Sequence, residues 1–295
     1  MDRRTFLTTM LQGSLASVAL PNRLASLLAP PHATFHQAPT NYQQNLHISA
    51  IGIGTFGSSC THLLTNSARK LHCYQLDFTQ QHYGAADILR VVTAYPQTDL
   101  LFVFADTRQK RSANILKASL ESASASGIQT VVIGPSQSTH WLLHTLAESN
   151  ALYCTESDPI AASSLVTTLY DFANYGNLDG VVAADVNGYV KAILQKGNWS
   201  VFASSYATGP TRGSLASQSV LALLEQQVSD SDIYSGAIAC IYCNSATYFN
   251  DFDQATIELF RFFLPNSTNK FNIIYNYVID DSLYDSARVA VLAII

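Results

Sequence analysis

The residues best placed to do chemistry are three glycines, Gly52-x-Gly54-x-x-Gly57, which break an apolar run beginning at Ile48 and lead into a helical pattern. Glycine lets a strand turn sharply into a helix and lets bare backbone N–H groups approach an anion, which the positive end of the helix then favours. With Ser58 behind them, these glycines predict a phosphate cradle. Asp77 lies about twenty positions further on, after the apolar segment Leu71–Leu76, where a carboxylate can hold ribose hydroxyls. That spacing suits a dinucleotide, and a Rossmann-type NAD(P)-dependent oxidoreductase is one reading of it. Such an enzyme also needs a His, Lys or Tyr facing the cleft. His140, His144 and Lys191 are candidates, and no recognisable constellation joins them. Cys240-x-x-Cys243 has redox or metal spacing but lies within the strand pattern Ala237–Cys243, where residues three apart face opposite ways. It reads as two buried thiols filling core space, and no metal site is expected.

The elements that must position these groups follow a βαβα order. Strands are expected at Leu46–Gly52, Leu71–Leu76, Leu100–Ala105 and Gln129–Gly134. Helices fall between them, from about Ser58 to Ser67, at Ala85–Ala94 and at Arg111–Ala125. This alternation argues for a parallel sheet covered on both faces, with its ligand crevice at the C-terminal ends of the strands. Thr139–Ser149 reads as a further helix and Ala151–Cys154 as a short strand. Pro159 then suits the first turn of a long helix reaching Tyr175. Beyond Gly180 the order changes, with helices at Val186–Gln195, Gly213–Val228 and Asp251–Phe263. Strands are expected there at Trp199–Ser204, Ala237–Cys243, Asn272–Ile279 and Arg288–Ile295.

At 295 residues, 48% hydrophobic and 13% charged, the chain can bury a sizeable core and is long enough for two domains. A net charge of −5 offers no basic footprint for a phosphate backbone, so nucleic acid is not an expected partner. Five scattered cysteines do not make a disulfide framework. The first residues differ from the rest. Arg3-Arg4-Thr-Phe-Leu7 precedes a mildly apolar stretch ending at Pro21, which resembles a bacterial twin-arginine export signal. Periplasmic or membrane-tethered localisation is therefore expected. The alternative is an amphipathic anchor on the inner face of the membrane.

The C-terminal half carries softer motifs in a definite order. Phe271-Asn-Ile-Ile-Tyr-Asn-Tyr-Val-Ile-Asp-Asp-Ser-Leu283, then Arg288-Val-Ala-Val-Leu-Ala-Ile, resembles the last two strands of the FtsZ/tubulin superfamily, FtsZ in particular. Gly180-Val-Val-Ala-Ala-Asp185 and Lys191-Ala-Ile-Leu resemble FtsZ's segment after its central helix, and Gly127-Ile-Gln-Thr-Val its fifth strand. Ala207-Thr-Gly-Pro-Thr-Arg212 resembles a loop that precedes one of its helices. The resemblance spans about residues 46–295. It implies an α/β, tubulin-like fold: a Rossmann-like GTPase-type domain at 46–158, a central helix at 159–178 and a second α+β domain at 179–295. Before these come a signal-like segment at 1–33 and a tether at 34–45. It also places Gly52, Gly54, Gly57 and Ser58 on the first phosphate loop and Asp77 at the end of the second strand, as a possible residual GTP or GDP site.

Departures from the family pattern bear on activity. FtsZ follows its fourth strand with a run of glycines that wraps the triphosphate, whereas here Leu101-Phe-Val-Phe-Ala105 is followed by Asp106-Thr-Arg-Gln-Lys-Arg-Ser112. Side chains would crowd the phosphate and Asp106 would repel it. Arg108, Lys110 and Arg111 either hold an anion or form a solvated basic turn. Residues 80–85 are too few for FtsZ's additional phosphate loop. The family's hydrolytic Asn-x-Asp-x-x-Asp, which polarises the attacking water in a neighbouring subunit's site, corresponds to Ala183, Asp185 and Gly188. Asp185 alone remains, as a vestigial hydrolytic acid or as a helix N-cap. The resemblance thus implies a scaffold that self-associates head to tail, a pseudo-GTPase with no required cofactor. An active or slow, polymer-forming GTPase is the alternative. The resemblance places Ile295 on the last strand, without the tail that carries FtsZ's docking peptide, so membrane association is expected through residues 1–30.

Overall fold

Strand β1 (Ile48–Ile53) is buried along its whole length, which its apolar composition dictates for a strand covered on both faces. The computed structural model describes residues 47–67, 69, 71–76, 98–135, 140–149, 151–174, 186–195, 199–228, 234–264 and 267–295. Helix α1 (Gly54–Thr65) follows β1 directly, and β2 (His72–Leu76) returns beside it. Strand β3 (Leu100–Ala105) lies against the other side of β1. It is followed by α2 (Lys110–Ala125), β4 (Gln129–Gly134), α3 (His140–Glu148) and β5 (Leu152–Thr155). Pro159 opens α4 (Pro159–Asn174), where its missing N–H costs nothing.

The second half comprises α5 (Val186–Leu194), β6 (Trp199–Thr208), α6 (Arg212–Glu225), β7 (Tyr234–Cys243), α7 (Tyr248–Phe263), β8 (Ser267–Ile279) and β9 (Ser286–Ile294). Among the described residues the strands form one nine-stranded sheet in the order β2-β1-β3-β4-β5-β6-β9-β7-β8. Every pairing is parallel except those of β9, which runs antiparallel between β6 and β7. Parallel pairing of Tyr153 with Trp199 and Cys154 with Ser200 joins the two halves.

Period-two alternation along the strands sorts the core into layers. Leu100, Phe102 and Phe104 face α1, α4 and α5 in a core that continues under β7 and β9. Leu101, Val103 and Ala105 face α2 and α3. In the second half the corresponding face packs on α6 and α7. Cys240 belongs to the first of these cores and Cys243 to the last, so the Cys-x-x-Cys pair straddles the sheet, as alternation requires. All five cysteines are free, and no metal-binding cluster occurs among the described residues. No described helix is long and apolar enough to cross a membrane.

Candidate functional site

The chain passes from β1 to β2 on one side and to β3 on the other, so the sheet order reverses between β1 and β3. In a parallel α/β sheet a crevice opens there at the strands' C-terminal ends. Ile53 pairs with Ala105, which sets Gly54 and Asp106 side by side at that switch point.

The glycine turn is tighter than the sequence suggests. A helix was expected from about Ser58, but it begins at Gly54, immediately after the strand. Gly54 makes the whole reversal in the left-handed region (φ 70°), which L side chains rarely adopt, and Ile53 is still extended. Gly57 and Ser58 therefore lie within the helix, not in a loop. A Cβ on Gly57 would sit 2.6 Å from the Phe104 carbonyl oxygen and 2.6 Å from the Gly52 carbonyl carbon, and one on Gly52 would sit 2.2 Å from the Gly57 oxygen. Both glycines are thus required for α1 to press on β1 and β3. The N-cap residue of α1, Ile53, offers no side-chain cap and no acid stands in the first turn, so among the described residues its N-terminal N–H groups have no side-chain cap.

The β3–α2 connection closes on itself. Asp106 accepts from the Arg108 backbone N–H (3.1 Å) and from Arg108 Nε and Nη2 (2.8 Å each). These hydrogen bonds hold the Asp106 carboxyl below its usual range against a smaller desolvation effect. Of the three basic residues in this segment, Arg108 is therefore engaged by its own loop. Thr107 and Ser112 are buried. Thr107 lies within hydrogen-bonding reach of Tyr153, whereas the hydroxyls of Ser112 and of Thr155 at the end of β5 have no hydrogen-bond partner among the described residues. The Ser112 and Thr155 hydroxyls escaped sequence reading. Their only signal there is a Ser or Thr just beyond an apolar strand.

Lys191 and His144 do not reach this edge. Lys191 pairs with Asp99 (2.9 Å), the residue before β3. That is the opposite end of a six-residue strand, about 20 Å away at the usual rise. His144 is exposed and pairs with Glu148 one helical turn on. Asp77, residues 80–85, Ala183 and Asp185 lie outside the described residues, as does the side chain of His140. Val186 opens α5 immediately after Asp185, and Gly188 lies within that helix.

Known structures superpose on this fold over most of its length. A mutant of FtsZ from M. jannaschii superposes with a TM-score of 0.65 at 15% identity, over 85% of this chain and 92% of that one. The fold is FtsZ/tubulin-like. TubZ from Bacillus thuringiensis serovar israelensis, in GDP-form protofilaments, matches with a TM-score of 0.57 at 10% identity, over 85% and 89% of the two chains. CetZ from Methanosaeta thermophila matches at 0.54 and 12% identity, over 84% and 86%. No protein-family model and no curated protein matches the sequence. In this chain the first strand ends in a tight glycine turn. The loop facing it across the switch point is an ion-paired turn.

Proposed function

We propose that the protein is a cytoskeletal scaffold of FtsZ/tubulin type that self-associates head to tail and has lost efficient GTP hydrolysis. One observation carries this reading: the Asp106 carboxylate, closed on the Arg108 side chain and N–H, sits beside Gly54 where a phosphate would need bare backbone donors. A phosphate arriving there meets a carboxylate already paired with Arg108, and the Arg108 N–H is taken. Self-association is supported by the likeness to TubZ in protofilaments, and a heterologous contact that does not close propagates as a filament.

Thermal shift and affinity measurements with GTP, GDP, NAD and NADP test the reading, together with phosphate release, light scattering and negative-stain microscopy. The expected result is assembly without a nucleotide-dependent shift. Tight GTP binding with phosphate release overturns it, and NAD binding supports the oxidoreductase reading instead. The buried hydroxyls of Ser112 and Thr155, unpartnered among the described residues, favour a second reading, in which a nucleotide still binds and turns over slowly.

We further propose that residues 1–33 direct export by the twin-arginine route, that 34–45 are a tether, and that the scaffold serves the cell envelope, where GTP is not available. A reporter active only after export, fused to residues 1–33, is expected to give signal. Activity from a cytoplasmic reporter alone refutes the assignment.

A further inference from the structure

Arg69, Arg108, Arg212 and Arg261 each meet a carboxylate. Arg288, half-buried on β9, meets none among the described residues. Its guanidinium lies over the rings of Tyr242, at 4.6 Å to the centroid, and Tyr206, at 5.6 Å, which attract a cation by their faces. Its hydrogen bonds go to neutral hydroxyls: Nε donates to Ser204 (2.9 Å), and Nη2 to Ser164 (2.6 Å) and Thr168 (3.3 Å). A cation drawn partly out of water and held only by hydroxyls and ring faces keeps its attraction for an anion.

The donors around it are in excess. Nη1 donates to nothing among the described residues, and the Ser164 and Ser204 hydroxyls accept from the guanidinium without donating to another described residue. Three side chains thus offer N–H or O–H groups, and the acceptor they lack is one that a carboxylate supplies. The surroundings are apolar. Tyr206 shares a face of β6 with Ser204, and Ile160 stands one turn before Ser164 on the same side of α4. They are 60% and 68% exposed. One guanidinium balances a single negative charge, and an apolar rim offers inorganic phosphate no contact.

We propose that the junction of α4 with β6 and β9 binds a small organic monocarboxylate. Its carboxylate takes Nη1 of Arg288 and the two serine hydroxyls, and its apolar body lies against Tyr206 and Ile160. The site is separate from the glycine crevice, since β1 and β9 are five strand spacings apart, about 24 Å. It therefore stands or falls independently of the scaffold reading and of any nucleotide.

The test titrates the full chain with sodium benzoate, benzamide and inorganic phosphate, read by saturation-transfer NMR on the two aromatic probes and by thermal shift on all three. Benzoate is expected to bind saturably, with benzamide and phosphate about tenfold weaker, as when a charge-assisted hydrogen bond is lost. Arg288→Gln is expected to weaken benzoate about tenfold, and Ser164→Ala, which keeps the guanidinium, about fivefold. Melting temperatures show that each variant is folded, and Ser164→Ala carries the test should Arg288→Gln unfold. GTP is expected not to displace benzoate. Four results overturn the proposal: no saturable benzoate binding, benzamide or phosphate binding as tightly, an affinity that Ser164→Ala and folded Arg288→Gln leave unchanged, or displacement of benzoate by GTP.

Discussion

Replacing Gly57 with alanine sets two effects of opposite sign against each other. Gly57 lies inside helix α1, where alanine is worth up to about 1 kcal/mol of added stability by propensity alone. The new Cβ would sit 2.6 Å from the Phe104 oxygen, 2.6 Å from the Gly52 carbonyl carbon and 2.7 Å from the Gly52 Cα, against an ordinary contact of 3.4–4 Å. All three atoms are backbone of buried central strands, so the relief available is for α1 to lift away. Overpacking of this kind costs about 3 kcal/mol or more, and the net expectation is a loss of about 2 kcal/mol. Gly127→Ala is the control. Its φ of 68° carries strain of about 1 kcal/mol, and its Cβ meets nothing within 4 Å. Urea unfolding followed by circular dichroism reads both variants. A Gly57→Ala midpoint at or above that of Gly127→Ala would refute the packing role and leave ligand approach as the reason for the glycine.

Arg212→Ala leaves Asp251, 1% exposed, without its cationic partner and is expected to cost about 3–5 kcal/mol. Asp285→Ala removes an 81% exposed carboxylate from the same guanidinium and is expected to cost under about 1 kcal/mol. Equal losses in a denaturant titration would contradict this ranking. The Asp106 carboxyl titrates below its usual range in the folded state, so its contribution is present at neutral pH and fades as pH falls through its folded-state pKa. The urea midpoints of the native chain and Asp106→Asn should therefore differ at pH 7 and converge in acid, and a gap that widens in acid would reverse the sign. Burial pushes the thiols of Cys60, Cys154 and Cys240 up to about 12 and also raises Cys243. An aromatic disulfide reagent at pH 8 should thus label Cys73 first, and rapid loss of several thiols from folded protein would contradict that.

Strands β3 and β4 were legible to the residue, because runs such as Leu-Leu-Phe-Val-Phe-Ala admit little but a strand buried on both faces. The opposite facing of Cys240 and Cys243 followed from the period of a strand. The start of α1 did not, because a glycine that completes a turn alone looks the same in sequence as one within a longer loop. Strand β6 reaches Thr208, beyond the expected Ser204, because β9 pairs along its full length as far as Ser286. That partner is remote in sequence. Arg212 was read as part of a loop, yet it is buried, bonded through Nε to both Asp251 oxygens (3.0 Å each) and through Nη1 to Asp285 (2.5 Å), with Thr247 also on its guanidinium. Spacing alone does not show that these residues meet. At the candidate site the glycine pattern was visible, and so was the lack of glycine after β3. The closure of Asp106 on Arg108 depends on side-chain geometry that only the folded chain supplies.

The placement of β9 between β6 and β7 bears on the order in which the chain can fold. Strands β1 to β5 pair with partners close in sequence and can form early. Strand β6 is complete at Thr208, yet its partner starts at Ser286, after β7 and β8. During synthesis one edge of β6 must therefore wait, unpaired, while two more strands and two helices are made. An open edge of that kind is a template for the wrong strand. Mistakes in making this protein should accordingly concentrate at β6, and any helper that shields a nascent chain has most to gain by covering that edge until β9 arrives.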